Sequence, residues 1–217
     1  MKNTCLLLAL FLVLISCGPR ERVSKEVFDE VNKTMEVKRL SDAEILQEAM
    51  VLGDSLTSEA QKNLISSLQR AIEEGGFEHA ISFCKENAST ITGSKLPTEE
   101  IQLKRVAIKN RNPQNEPDAD EALIIDAYAY NAENGIDNTP NIQKIENGEV
   151  FLYTKAIIFP GGICSNCHGD PDSEIPSEVF KSIKEQYPDD QATGFKPGDL
   201  RGMWSLKIPK KEVVKRL

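Results

Sequence analysis

The sequence predicts an α+β domain with its helices first and its antiparallel strands later, and three observations predict it. Ser41-Asp42-Ala43-Glu44 has the form of a capping box, and apolar residues follow it at every third or fourth position. Asn147-Gly148 separates two β-compatible runs, which is the short-range signature of a hairpin. Trp204, Leu206 and Ile208 alternate along a final strand running from Met203 to Ile208. At 40% hydrophobic and 28% charged, the 217 residues suit one globular domain with its own core, without repeats or low-complexity tracts.

In chain order, Met1 to Ser16 reads as Lys2 followed by an apolar run from Leu6 to Ile15, the proportions of an export signal. The run is too short to stay in a bilayer. Leu14-Ile15-Ser16-Cys17 resembles the lipobox of bacterial lipoproteins, which makes Cys17 a lipid anchor on an envelope protein facing the periplasm or the exterior. The alternative is an ordinary signal cut nearby, leaving Cys17 as a free thiol. Residues 17–40 are charged and sparsely apolar, the composition of a tether, and residues 41–217 form the domain.

The first domain helix starts at the capping box and buries Ile45, Ala49, Leu52, Leu56, Ala60, Leu64, Leu68 and Ile72, with a kink expected at Gly53. Gly75-Gly76 supplies left-handed positions that end it, and a second amphipathic segment runs from Phe77 to about Thr90. Val106 to Ile108 is a short β-compatible run, and Arg111-Asn112-Pro113-Gln114-Asn115-Glu116-Pro117 is a loop. Asp118 caps a helix through Asn134, with Gly135 beyond its end. Ile142 to Glu146 and Glu149 to Phe159 form the hairpin, with a tight primed turn at Asn147-Gly148. A last helix runs from Pro176 to about Gln186.

Net charge is −8 with no basic stripe, which excludes a nucleic-acid backbone as partner. Five cysteines and only two histidines restrict any metal chemistry to a few positions. Cys164-Ser165-Asn166-Cys167-His168 is C-x-x-C-H, the attachment sequence of covalent haem c. Two thiols one helical turn apart can each add across a porphyrin vinyl group, and the adjacent imidazole then reaches the iron. A structural disulfide or a C-x-x-C redox pair is the plainer alternative. No thioredoxin-like βαβ pattern surrounds the motif, and export suits haem-c attachment.

The second axial position has five candidates: Met35, Met50, His79, Cys84 and Met203. Met35 falls in the tether, and Met203 alternates away from the Trp204 face. Met50 borders the buried stripe and stays open. His79 and Cys84 lie five residues apart, so their side chains diverge by about 140° around one helix. Cys84 shares the face of Phe77, Ala80, Ile81 and Ala88, whereas His79 falls on the polar side. Spacing alone leaves Cys84 either an iron ligand or a small buried hydrophobe.

The chain resembles the Tll-like haem-c family, a PAS-like sensor-type domain, from about Gly53 onward. The resemblance runs through Ala80-Ile81-Ser82-Phe83-Cys84 and Ala88, Arg105 to Lys109, Arg111 to Asn115 with Glu121, Cys164 to Gly169, and Gly198-Asp199-Leu200-Arg201-Gly202. It departs at Val106-Ala107, where Thr-Ser is frequent. The resemblance implies a PAS-like antiparallel sheet flanked by helices, one covalent haem c, and axial ligation by His168 and Cys84. Thiolate ligation favours Fe(III) and a low potential. The two haem propionates need cations, and Arg105, Lys109 and Arg111 are candidates by proximity to the family motif.

These readings lead to a lipid-anchored c-type haem protein acting as a redox or gas-responsive sensor or binding module, with an electron-transfer cytochrome as the alternative. A sensor lacking a kinase, cyclase or transmembrane output on this chain signals through a protein partner. Filled axial positions and the lack of a distal acid/base pair argue against an enzyme. The long first helix leaves a homodimer open.

Overall fold

The computed structural model describes residues 24–34 and 39–217. The expected signal segment and Cys17 therefore lie outside the described residues, as does Met35. The chain divides into two compact units, Met1–Arg39 and Leu40–Leu217. In the first, helix α1 (Lys25–Thr34) carries the exposed apolar side chains Val27, Phe28 and Val31. Among the described residues no helix is long and apolar enough to cross a membrane.

The second unit opens with α2 (Asp42–Gly93), whose start is the expected capping box: Glu44 N–H donates to Ser41 Oγ at 3.2 Å and Ser41 N–H to Glu44 Oε2 at 2.8 Å. Ile45, Ala49, Leu52, Leu56, Ala60 and Leu64 are buried as expected, but the stripe continues through Ser67 and Ala71 rather than Leu68 and Ile72. Four-residue steps overshoot a 3.6-residue turn, so a row of i+4 positions winds off the core face until one three-residue step corrects it. Each large aliphatic buried here contributes ~1.5–3 kcal/mol relative to exposure. Packing, more than helix propensity, therefore holds α2 on the sheet.

The expected kink at Gly53 is absent. Gly53 is helical and buried, and a Cβ on it would stand 2.3 Å from the Tyr153 ring, so glycine is there to let that ring approach. Tyr153 uses the approach to donate to Asp54 Oδ1 at 2.7 Å. The break falls at Gly75-Gly76, where Gly76 adopts φ 74° and ψ −172°, open to glycine alone. Beyond it the chain returns, and Ala88 and Ile91 of the second arm pack against Ala60, Leu64 and Trp204.

Four antiparallel strands follow in the order β1-β4-β3-β2: β1 (Gln102–Val106), β2 (Asn141–Ile145), β3 (Val150–Ile158) and β4 (Leu200–Pro209). Strand β1 lies earlier than the expected Val106 to Ile108 run. After Val106 the Ala107 N–H turns aside to Asn115 O at 2.9 Å, which takes the backbone out of the ladder. The β2–β3 hairpin is closed by Glu146 to Glu149, with Ile145 opposite Val150, instead of a two-residue turn. Glu146, Asn147 and Gly148 all have positive φ there.

Both sheet faces are covered. Phe151, Tyr153, Leu206 and Ile208 meet the α2 stripe. On the other face Val106, Leu152 and Met203 meet Ile124, Ile125 and Tyr128 of α3 (Ala119–Glu133). Met203 does point away from Trp204, as alternation requires, but into this second core layer, where it is fully buried. Asp118 caps α3 in a second capping box with Glu121. Glu121 is itself buried: its carboxylate accepts from Asp118 N–H at 2.9 Å and Ser205 Oγ at 2.6 Å and meets Lys104 Nζ at 2.8 Å, tying α3 to β1 and β4.

Candidate functional site

The site is carried by the excursion between β3 and β4. Its neck is closed by Phe159 N–H to Asp199 O at 2.8 Å and Gly198 N–H to Phe159 O at 3.0 Å. A turn at Gly161 and Gly162 leads into a 3-10 turn and the short helix α4 (Ser165–His168), then α5 (Ser177–Gln186), one residue later than the expected Pro176 start. The chain ends in α6 (Lys210–Val214).

This local folding puts Cys164 at the end of the 3-10 turn and Cys167 and His168 at the end of α4. Cys164 and Cys167 are free thiols facing different apolar clusters. Cys164 packs against Phe159, Ala192 and Phe195. Cys167 packs against Ile81, Ile175, Val179 and Ile183. Burial pushes the Cys167 thiol up to about 11, with Arg111 opposing and Cys84 and Cys164 adding to the rise. Burial also raises Cys164.

The His168 Nδ1 lies 2.7 Å from Ala192 O. A carbonyl only accepts, so Nδ1 carries the proton and Nε2 keeps its lone pair. Burial holds the imidazole well below its usual pKa, helped by Arg201, Arg111 and Arg105, so it is neutral. The Phe195 ring meets it edge-on, with centroids 6.5 Å apart.

Cys84 is half-buried on the second arm of α2. Burial raises its thiol, while Arg105 and Arg111 pull the other way. Its charge is felt at Cys167 and Tyr187, so the α2 arm and the excursion share one electrostatic environment. His79 lies on the outer side, its side chain 48% exposed and 4.0 Å from Glu74 Oε2. Met50 packs in the α2–sheet core and Met203 beneath α3, each in a cluster separate from those around Cys164 and Cys167.

The cations differ from one another. The guanidinium of Arg105, a half-buried residue of β1, makes no hydrogen bond or ion pair among the described residues; burial lowers its pKa, opposed by Cys84 and Tyr187. Lys109 Nζ donates to Thr193 O at 2.7 Å and lies 4.5 Å from the Phe195 ring centroid. Arg111 is committed to protein acceptors: Asp190 Oδ1 at 3.0 Å, Cys167 O at 2.5 Å and Ala192 O at 3.3 Å. Arg201, which the sequence reading did not single out as a site residue, donates to Lys109 O at 3.3 Å and places its Cζ 5.2 Å from the Phe195 centroid. Burial, with Arg105 and Arg111 adding, lowers it to about 9, so it remains a cation at neutral pH. Its segment belongs to the resemblance stated above, which was the available signal. Asp190 and Tyr187 had none. A cavity of about 350 Å3 opens beside Tyr187, between Lys85, Arg111 and Pro188.

The donor set suits a haem. Two free thiols flank a neutral imidazole with an available Nε2, apolar clusters lie against both thiols, and four cations gather where Asp190 is the carboxylate paired with one of them. An apolar macrocycle bearing two carboxylates and taking an anionic sulfur ligand would meet each of these conditions.

Fold and site thus define a class: a mixed helix-and-sheet domain built around a C-x-x-C-H turn and a cation-lined apolar site. The chain belongs to the Tll0287-like family, whose model matches residues 24–209. A crystal structure of the cyanobacterial heme-protein Tll0287 aligns at 21% identity with a TM-score of 0.42, covering 86% of this chain and 97% of that one. No curated protein matches.

Proposed function

We propose that the protein binds one haem c, held by thioethers from Cys164 and Cys167 and ligated by His168 and Cys84, and that it responds to redox state or to a diatomic gas. The observation that carries this reading is the His168 Nδ1–Ala192 O hydrogen bond, which leaves Nε2 as a pre-oriented ligand atom within a C-x-x-C-H turn. The Tll0287 structure is that of a heme-protein, in keeping with it. Bound haem would supply a one-electron Fe(III)/Fe(II) couple.

The chain's own residues do the rest. Cys84 would hold the group as a thiolate, its proton released to solvent, a form that Arg105 and Arg111 favour. Arg105, Arg201 and Lys109 would compensate the propionates, while Phe159 and Phe195 would keep water from the imidazole side. The Gly75-Gly76 break lets the arm bearing Cys84 move without unwinding the first arm, which favours a responsive module over a rigid carrier. The PAS-like label, export, the lipid on Cys17, the envelope location, the signalling partner and the absence of catalysis belong to the same proposal.

Expression of the full chain with haem-c maturation machinery, followed by ferric and ferrous absorption spectra, tests attachment and ligation together. Cys84→Ala is expected to give a high-spin or water-ligated ferric spectrum, and His79→Ala a wild-type one; the reverse refutes the ligand assignment. Unchanged ferrous spectra under CO and NO, with rapid exchange to a redox partner, would establish the electron carrier instead. Peroxidase turnover by wild-type protein would contradict a non-enzymatic role, and a soluble Cys17→Ala protein beside a membrane-bound wild type would support the anchor.

A further inference from the structure

The geometry points to Asp190 as a positioning residue for His168, acting through the backbone of Ala192 without touching the imidazole; its importance to function rests on His168 being the ligand proposed above. The Asp190 carboxylate is fully buried. Its Oδ1 accepts from Ala192 N–H at 3.0 Å, closing a two-residue turn, and from Arg111 Nε at 3.0 Å. The same residue, Ala192, turns its carbonyl to His168 Nδ1 at 2.7 Å. One carboxylate thereby fixes the Gln191–Ala192 peptide and, across the Ala192 Cα, steadies the next peptide unit, whose carbonyl meets the ring and also accepts from Arg111.

The surroundings hold that turn from both ends. Asp190 N–H donates to Tyr187 O at 3.0 Å and Gln191 N–H to Asn110 O at 3.0 Å, while Phe195 N–H returns to His168 O at 3.0 Å. Arg111 Nη2 reaches Ala192 O at 3.3 Å and Cys167 O at 2.5 Å, linking the carboxylate to the residue just before His168. A salt bridge serving stability alone would need only Arg111. The bond to Ala192 N–H couples Asp190 to the histidine, and a carbonyl accepting from Nδ1–H fixes the tautomer and makes Nε2 the stronger donor.

Asp190→Asn keeps an Oδ1 acceptor for Ala192 N–H and loses the charge, whereas Asp190→Ala loses both. With only two histidines in the chain, nitrogen-15 histidine labelling of the ferrous holoprotein resolves the His168 Nδ1–H and its solvent exchange. Exchange about tenfold faster in Asp190→Ala than in wild type, with Asp190→Asn near wild type, is expected from loss of one buried hydrogen bond. The midpoint potential should rise in Asp190→Ala, and further than in Asp190→Asn, because the imidazole becomes the poorer donor. Equal exchange in all three proteins overturns the inference, and so does equal acceleration in both variants, which would make Asp190 a charge and nothing more. If Asp190→Ala does not accumulate, Asp190→Gln replaces it: it matches Asn in charge but displaces the acceptor, and exchange equal to that of Asn counts against positioning. A chain that takes up no haem defeats the proposed function, yet the same exchange measurement on that chain still decides the role of Asp190.

Discussion

Two polar clusters flank the sheet, and they are built on opposite charge accounts. Beneath α3, Asp118, Asp120 and the buried Glu121 meet Lys104 and Lys207, each carboxylate facing an ammonium within 3.5 Å. Around His168, Arg105, Lys109, Arg111 and Arg201 gather with Asp190, which bonds one of them. A closed account fixes one element on another. An open account of one sign, kept partly out of water, costs free energy in the unloaded chain and is recovered when an anion arrives. The contrast separates a cluster that holds the fold from one that, on the proposed function, would receive a ligand.

Substitutions can break that contrast, beginning with the largest effect. Glu121→Ala leaves Ser205 Oγ and the Asp118 N–H without their acceptor and takes from Lys104 its nearest carboxylate, and is expected to cost about 2–4 kcal/mol in urea unfolding. Arg105→Met, in the open cluster, should leave the unloaded fold within about 1 kcal/mol of wild type or stabilise it, while lowering haem retained per chain, read as the haem-to-protein absorbance ratio. A cost like that of Glu121→Ala would erase the distinction.

The smallest effect is on pH dependence. Burial acts most strongly on Asp118 and would raise it, but the Lys207 hydrogen bond and the Lys207 and Lys104 charges together hold its carboxyl below the ordinary range. A depressed folded pKa means stabilisation that is present above the unfolded value of about 3.9 and lost as pH falls through and below it. Asp118→Asn, which keeps the cap, should flatten that acid limb of an unfolding-versus-pH curve by lowering neutral stability by less than about 1 kcal/mol, since the side chain is partly solvated, while leaving stability below about pH 2 unchanged.

What was legible in the sequence was local. The capping box at Ser41, the cap at Asp118, the Gly75-Gly76 break and the C-x-x-C-H turn each involve residues within one or two turns of each other. The separation of His79 from Cys84 follows from helix geometry alone. Alternation along β4 sorted Met203 from Trp204 but carried no information about whether α3 would cover the second face. Gly53 read as a breaker because the Tyr153 ring that explains it arrives from β3. Arg111 and Asp190 stand 79 positions apart, so no spacing rule connects them, and a basic residue such as Arg111 looks the same in sequence whether it waits for a propionate or clamps a backbone carbonyl.

The neck at Phe159, Gly198 and Asp199 has a consequence for biogenesis. Strands β3 and β4 pair directly from Val150 with Pro209 to Ile157 with Gly202, and the two neck bonds seal the excursion beyond them. On the covalent attachment proposed above, the ladder would be able to zip before any thioether forms, so that chain folding and cofactor installation would be separable operations on one polypeptide.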